Sequence, residues 1–190
     1  SDVTSPLSVY GKTKREGDEL ICKHNSKHLI FRTSWVYAAR GRNFVKTVLA
    51  LARKRDDLRI IDDQFGAPTS AGLIADVTAF IIYLVTQQSN QWRNDLAGTY
   101  HLVAAGETSW FGVAQFVLEQ AEAHGLGIRV KPSQLLAIST DEYQLIAKRP
   151  KNSRMATDKL RQAFGIQLPH WHYHLNLVLE DMLSRKNYES

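Results

Sequence analysis

Cysteine is almost missing from this chain: Cys22 stands alone among 190 residues. An internal disulfide is excluded, nothing beside Cys22 has metal-ligand spacing, and a reducing compartment is the simpler assumption. Long apolar runs are missing too. The run Phe80 to Val85 holds six residues inside an amphipathic pattern, far short of the roughly eighteen that a membrane span needs. The opening SDVTSPL has no basic stretch followed by an apolar run, so it does not read as a signal peptide. No internal repeat is visible. No GxGxxG or GxxxxGK turn follows a strand, so the phosphate-cradling opening of an intact dinucleotide fold is not visible either.

What is there is ordinary globular composition, 44% apolar and 23% charged, at a length that suits one domain or two small ones. The net charge of +5 is spread along the chain, with modest clusters at Lys12 to Arg15, Arg53 to Arg55 and Lys148 to Arg154. Such charge attracts nucleic acid or a phosphorylated ligand, or is a plain solvated surface. No zinc-finger or aromatic-basic motif accompanies it, so nucleic acid is not an expected partner.

Periodicity predicts a helix from near Ser8 to about His24, after the break at Pro6, then a buried strand over His28 to Arg32. A loop spans Ala38 to Arg42, and a helix follows from Asn43. Leu58 to Ile61 reads as a strand and Asp62 to Ser70 as a polar loop. A long amphipathic helix covers Ala71 to Thr86, and Asn90 to Gly98 is a turn-rich connection. Thr99 to Val103 reads as a strand, Thr108 to Ala123 as a helix, and Ile128 to Lys131 as a strand. The stretch from Pro132 to Arg154 reads as irregular. Thr157 caps a short helix that Gly165 stops, and a last helix runs to about Leu183. This alternation indicates an α/β protein.

Tyr10 and Lys14 carry the clearest chemistry. Four apart on a helix, they share a face, and an ammonium beside a phenol favours the phenolate and brings its pKa toward the working range. Such a pair protonates a carbonyl oxygen as hydride reaches its carbon, while the lysine holds a ribose hydroxyl. A surface tyrosine beside an unrelated lysine has the same spacing. Trp35 offers a flat apolar surface for a sugar or base, or is a core residue at a strand end. Asn43 reads as a helix N-cap. Gly66 and Pro68 suit a rigid turn. His170, His172 and His174 alternate, but no cysteine or carboxylate beside them completes a convincing zinc site.

The run SPLSVYGKTKREGDELI, then HLIFRTSWVYAARGRNFVKTVLALA, IIDDQFGAPTSAGLIADV, GTYHLVAAGETSWFGVAQFV and RPKNSRMATDKLRQAFGIQLPHW, closely resembles the dTDP-4-dehydrorhamnose reductases. These are extended short-chain dehydrogenase/reductases. The resemblance covers nearly the whole chain, in the family's order. It implies the C-terminal part of a Rossmann-type parallel sheet plus a smaller α/β substrate-binding lobe. Residues 1–65 would be the remnant of the dinucleotide-binding domain, 66–184 mainly the substrate lobe, and 185–190 a flexible tail. It implies Tyr10 as catalytic proton donor and Lys14 as its partner, with Thr33 beside them at the cofactor. Trp35, Asn43, Gln64 and Arg149 would meet the sugar nucleotide. Ser34, Thr69, Asn152, Ser153 and Arg154 are further contacts on the same basis, or serve the strand end, the loop and a basic rim.

The implied reaction is NADPH- or NADH-dependent reduction of dTDP-4-dehydro-L-rhamnose to dTDP-L-rhamnose in the intact cytoplasmic protein, a homodimer in some relatives. The isolated chain is expected to be inactive, with an exposed strand edge. Some members of the family support magnesium with glutamates; Gly72 and His172 stand at those places here, which puts magnesium and that dimer in doubt. Two other readings stay open. One is an epimerase or reductase of another nucleotide sugar; the other is a non-catalytic sugar-nucleotide-binding module.

Overall fold

The structure, a computed structural model, describes residues 5–6, 8–87, 94–143 and 150–186. It opens with helix α1 (Val9–His24), where the Ser8 hydroxyl caps by accepting from the Gly11 N–H at 3.1 Å. Then come β1 (Leu29–Arg32), β2 (Val36–Tyr37), α2 (Phe44–Ala52), β3 (Leu58–Ile61), β4 (Phe65–Gly66), β5 (Thr69–Ser70) and α3 (Ala71–Gln87). The second half holds β6 (Gly98–His101), β7 (Thr108–Ser109), α4 (Trp110–Ala123), β8 (Leu135–Ile138), α5 (Asp158–Phe164) and α6 (Trp171–Lys186). Single 3-10 turns lie at Asn94–Leu96 and Pro132–Gln134.

Three strand pairs are parallel: β1 with β6, β2 with β5, and β3 with β8. Parallel partners need a long crossover, and the chain supplies it: β1 meets β6 in register Leu29 to Gly98 only after α2 and α3 have intervened. The fourth pair, β4 with β7, is antiparallel and sets Phe65 opposite Ser109.

Two apolar cores result, and they interleave in sequence. Val45 and Val48 of α2, Leu58 of β3, Val117 and Leu118 of α4, and Leu175 and Leu179 of α6 form the first. Ile81 and Val85 of α3, Tyr100 of β6, Leu102, and Leu160 and Phe164 of α5 form the second. Val77 on α3 packs against both. Each fully buried aliphatic side chain contributes about 1.5–3 kcal/mol of transfer free energy, so these two clusters hold the framework on which the loops hang.

Several expected elements differ. Ile128 to Lys131 is not a strand. Val130 is fully buried, but the Arg129 and Val130 N–H groups donate to the Ala52 carbonyl at 2.8 and 3.2 Å, closing the end of α2. Burial there was legible and the ladder was not. The strand that does form, β8, lies in the stretch expected to be irregular; it exists because β3 offers a complete parallel partner from Leu58 to Ile61. The expected loop from Asp62 to Ser70 contains β4 and β5. The helix expected from Thr108 begins at Trp110, because Thr108 and Ser109 pair with β4 and the Ser109 hydroxyl caps by accepting from the Gly112 N–H. Thr157 holds its cap position without a side-chain bond, and Gly165 stops α5 in the left-handed conformation at φ +63°.

Candidate functional site

Asn43 and Gln64 come from later segments of the chain, and Thr33, Ser34 and Trp35 follow the carboxyl end of β1. In open parallel sheets this end is where ligands bind. Arg32, the last residue of β1, is paired with Asp18 of α1 at 2.8 Å. That contact, with Cys22 against His28 at 3.3 Å, ties α1 to the strand. Tyr10 and Lys14 lie on α1, where none of the described side chains is buried, and Tyr10 is 74% exposed. Thr33 follows β1 directly. Its hydroxyl is buried with no hydrogen-bond partner among the described residues, an arrangement that costs free energy until a donor or acceptor arrives.

Trp35 has a positive φ of 51°, rare for a bulky residue and a mark of local constraint. Its indole stacks flat on that of Trp110, with centroids 3.7 Å apart and planes 13° from parallel. Gly66 presses on Trp35 as well. A Cβ at Gly66 would stand 2.8 Å from Trp35 Cε2 and 3.1 Å from Cδ2 and Cζ2. Only glycine allows that approach. Phe44 meets Trp110 at 4.6 Å, tilted.

Gln64 is 2% exposed. Its Oε1 accepts from Trp110 Nε1 at 3.2 Å and its Nε2 donates to the Thr140 hydroxyl at 3.1 Å. Asp62 accepts from the Ser109 hydroxyl. Asp63 accepts from the Thr140 N–H at 2.9 Å and pairs with Lys151 at 2.7 Å. The Lys151 ammonium first, then the Thr140 hydroxyl, hold the Asp63 carboxyl down at about 2. Asn43 is the N-cap of α2: its Oδ1 accepts from the Lys46 N–H at 3.1 Å, and its Nδ2 donates to the Ala38 carbonyl at 2.7 Å.

The strip from Lys151 to Arg154 runs beside β4, with Phe65 N–H donating to Lys151 and Ser153 N–H donating to Phe65, both at 2.8 Å. Asn152 sits at that bridge, and the Ser34 hydroxyl donates to the Ser153 carbonyl at 3.4 Å. Arg154 makes a two-pronged pair with Glu107 and lies over the Phe65 ring at 4.8 Å. Thr69 is fully buried, donating to the Ala67 carbonyl at 2.9 Å and accepting from the Ala104 N–H at 3.1 Å. Arg149 lies outside the described residues.

So the fold brings Trp35, Gln64, Gly66 and the 151–154 strip together. It holds Tyr10 and Lys14 on a separate helix joined through Arg32. A cavity of about 450 Å3 opens beside this cluster, with Phe44, Leu51, Ile60, Gln64 and Trp110 among its walls, and the charges of Arg55 and Arg59 there are matched by Asp57 and Glu142. A second, of about 300 Å3, lies at Trp35, Tyr37 and Pro68. Trp110, Asp62, Ser109 and Thr140 were not expected at the site. The contact of Trp110 with Gln64 spans 46 positions, which no local pattern reveals.

The histidines of the HWHYH run divide between two settings. His172 and His174 are on α6, and His172 stacks on Phe116 at 4.5 Å. Burial, with His170 adding to it, holds His172 below the ordinary imidazole range. Gly72 opens α3.

Residues 1–184 match the family model described as the RmlD substrate binding domain. The dTDP-4-dehydrorhamnose reductase of Escherichia coli (strain K12) is 44% identical over 184 residues, 97% of this chain and 59% of that protein. That of Burkholderia thailandensis is 38% identical over 185 residues, 97% of this chain and 62% of that protein. Among solved structures, a dTDP-4-dehydrorhamnose reductase of Clostridium acetobutylicum superposes with a TM-score of 0.82 at 32% identity, over 96% of this chain and 58% of that one. One of Bacillus anthracis, in complex with NADP, gives 0.76 at 31% identity, over 95% and 57%. The chain thus spans about three-fifths of the length of the curated relatives it matches.

Proposed function

This chain belongs to the RmlD substrate-binding-domain family, and on that footing we propose that it is the substrate-binding and proton-donating part of a dTDP-4-dehydro-L-rhamnose reductase. The observation that carries the reading is the family match over 97% of the chain to proteins of that activity, joined to a Tyr–Lys pair on α1 and an aromatic cluster at the carboxyl end of β1.

The residues present suit a nicotinamide cofactor in part. The unpartnered Thr33 hydroxyl lies next to the strand end, and Lys14 shares a helix face with Tyr10, so Thr33, Tyr10 and Lys14 would hold the nicotinamide ribose end. No glycine-rich turn for a pyrophosphate occurs in the 190 residues, so these residues hold one end of the cofactor and not the other. When bound, NADPH or NADH would supply the hydride that reaches the C4 carbonyl carbon. Tyr10 gives its proton to the carbonyl oxygen as negative charge develops there. Trp35 and Asn43 would meet the sugar nucleotide, and the cavity lined by Phe44 and Trp110 suits a flat base against aromatic walls.

Taken alone, the chain binds the dTDP-sugar without turning it over, since misplacement of a cofactor by about 1 Å already costs roughly a hundredfold. The test is NADPH consumption with dTDP-4-dehydro-L-rhamnose by the natural polypeptide that carries these residues. In that protein Tyr10→Phe should lower kcat by about a hundred- to ten-thousandfold with the melting temperature unchanged, because Tyr10 is exposed. Turnover at the wild-type rate in Tyr10→Phe would remove Tyr10 from the reaction. Formation of an epimer without NADPH consumption would replace the reductase by an epimerase.

A further inference from the structure

We propose that Gln64 is a positioning residue: it holds Trp110, and through it Trp35, so that a bound ligand meets the edge of the Trp35 indole and not its face. The proposal rests on the reading of this cluster as a sugar-nucleotide site.

An indole N–H can only donate, and an ionised carboxylate can only accept. The chain of bonds from Trp110 to Asp63 therefore has one direction. Trp110 Nε1 donates to Gln64 Oε1 at 3.2 Å, Gln64 Nε2 donates to Thr140 Oγ1 at 3.1 Å, and Thr140 Oγ1 donates to Asp63 Oδ1 at 2.5 Å. Lys151 closes the far end on Asp63 at 2.7 Å. Turning the amide over would set its NH2 against the indole N–H, two donors face to face. In a side chain 2% exposed no water relieves that clash. The Trp110 ring is thus held at one rotation. Asp62 fixes its backbone independently by accepting from Ser109, the cap of α4.

The orientation of Trp110 decides what Trp35 can offer. Trp110 covers one face of Trp35 at 3.7 Å. Gly66 bears on the fused bond so closely that an added Cβ would fall 2.8 Å from it. A group at that height cannot share a face with a ring already stacked there, so it lies against the opposite one. With both faces filled, sugar-on-indole stacking is excluded and the edge remains. The edge of an aromatic ring carries the positive part of its quadrupole, which suits the hydroxyl and phosphoryl oxygens of a nucleotide sugar. The positive φ of Trp35 fits the same purpose: the backbone is bent to insert the ring between two neighbours.

Two stacked indoles give an exciton couplet in circular dichroism, which Trp110→Phe should abolish and so assign. The informative variant is Gln64→Met, close in volume and unable to make either bond. In the natural polypeptide that carries this chain, Gln64→Met should lose most of the couplet. It should also raise KM for the sugar nucleotide about tenfold with kcat within about twofold. Thr140→Val, which removes the anchor of the amide and leaves Gln64 in place, should act in the same direction and stands in should Gln64→Met not fold. A couplet and KM unaltered in the folded variants, even with a lower melting temperature, would overturn the proposal. A lost couplet with unaltered KM would overturn its ligand half. Should the unaltered protein show the couplet and no turnover, the reductase reading falls and the couplet alone decides whether Gln64 positions the pair.

Discussion

Asp63 shows how a single residue joins distant parts of this chain and makes the joint sensitive to acid. Its carboxyl is lowered from 3.8 to about 2, chiefly by Lys151 and then by Thr140. A carboxyl lowered on folding binds fewer protons in the folded than in the unfolded state between those values. Its contribution to stability is whole above about pH 4 and is lost as the pH falls toward 2. Removing the charge should remove that dependence: Asp63→Asn is expected to melt lower at neutral pH, with a gap to wild type that closes as the pH drops through this window. Thermal melts at stepped pH check it; a constant gap would mean that the carboxyl does not titrate with folding. Lys151 sits on the strip that borders β4, so the same bond also holds a wall of the candidate site.

Capping and close approach, more than intrinsic propensity, decide where the short elements begin and end. Asn43 caps α2 with one end of its amide and fastens the preceding loop at Ala38 with the other. Asn43→Ala should therefore cost about 1–2 kcal/mol, with the loss measurable by urea denaturation, and Asn43→Asp should recover the capping part. Equal stability of Asn43→Ala and wild type would show that the cap is not needed. Ser109 does comparable service for α4 while β7 joins β4, so one tight junction sets both the helix start and the place of Trp110. The two-residue strands β2, β4, β5 and β7 exist because partners are delivered to them, since two residues of chain carry no periodicity of their own.

The molecule as a whole is held by two interleaved cores rather than by two successive ones. Leu118 and Leu160 are each fully buried, the first between α2, α4 and α6, the second among α3, β6 and α5. Val77 touches both clusters, which favours one cooperative transition. Leu118→Ala and Leu160→Ala should each cost about 2–5 kcal/mol and lower the same melting transition in scanning calorimetry. Two resolved transitions, each moved by one variant, would show the cores to be independent. The chain makes no helix among the described residues long and apolar enough to cross a membrane.

The sequence by itself determined what is local or carried by a recognisable string of residues. The six α-helices among the described residues were legible from apolar periodicity and from signals such as Ser8, Asn43 and Gly165. Strands β1, β3 and β6 were legible from β-branched runs, and the family from the order of its motifs. Tertiary structure decided whatever depends on a distant partner. It placed β8 opposite β3 while leaving Ile128 to Lys131 without a ladder, because a strand is defined by pairing and burial alone does not supply it. It closed both faces of Trp35 and engaged both ends of Gln64. A side chain's type states what it can donate, accept or cover; only the folded chain determines which of those capacities its neighbours have already used.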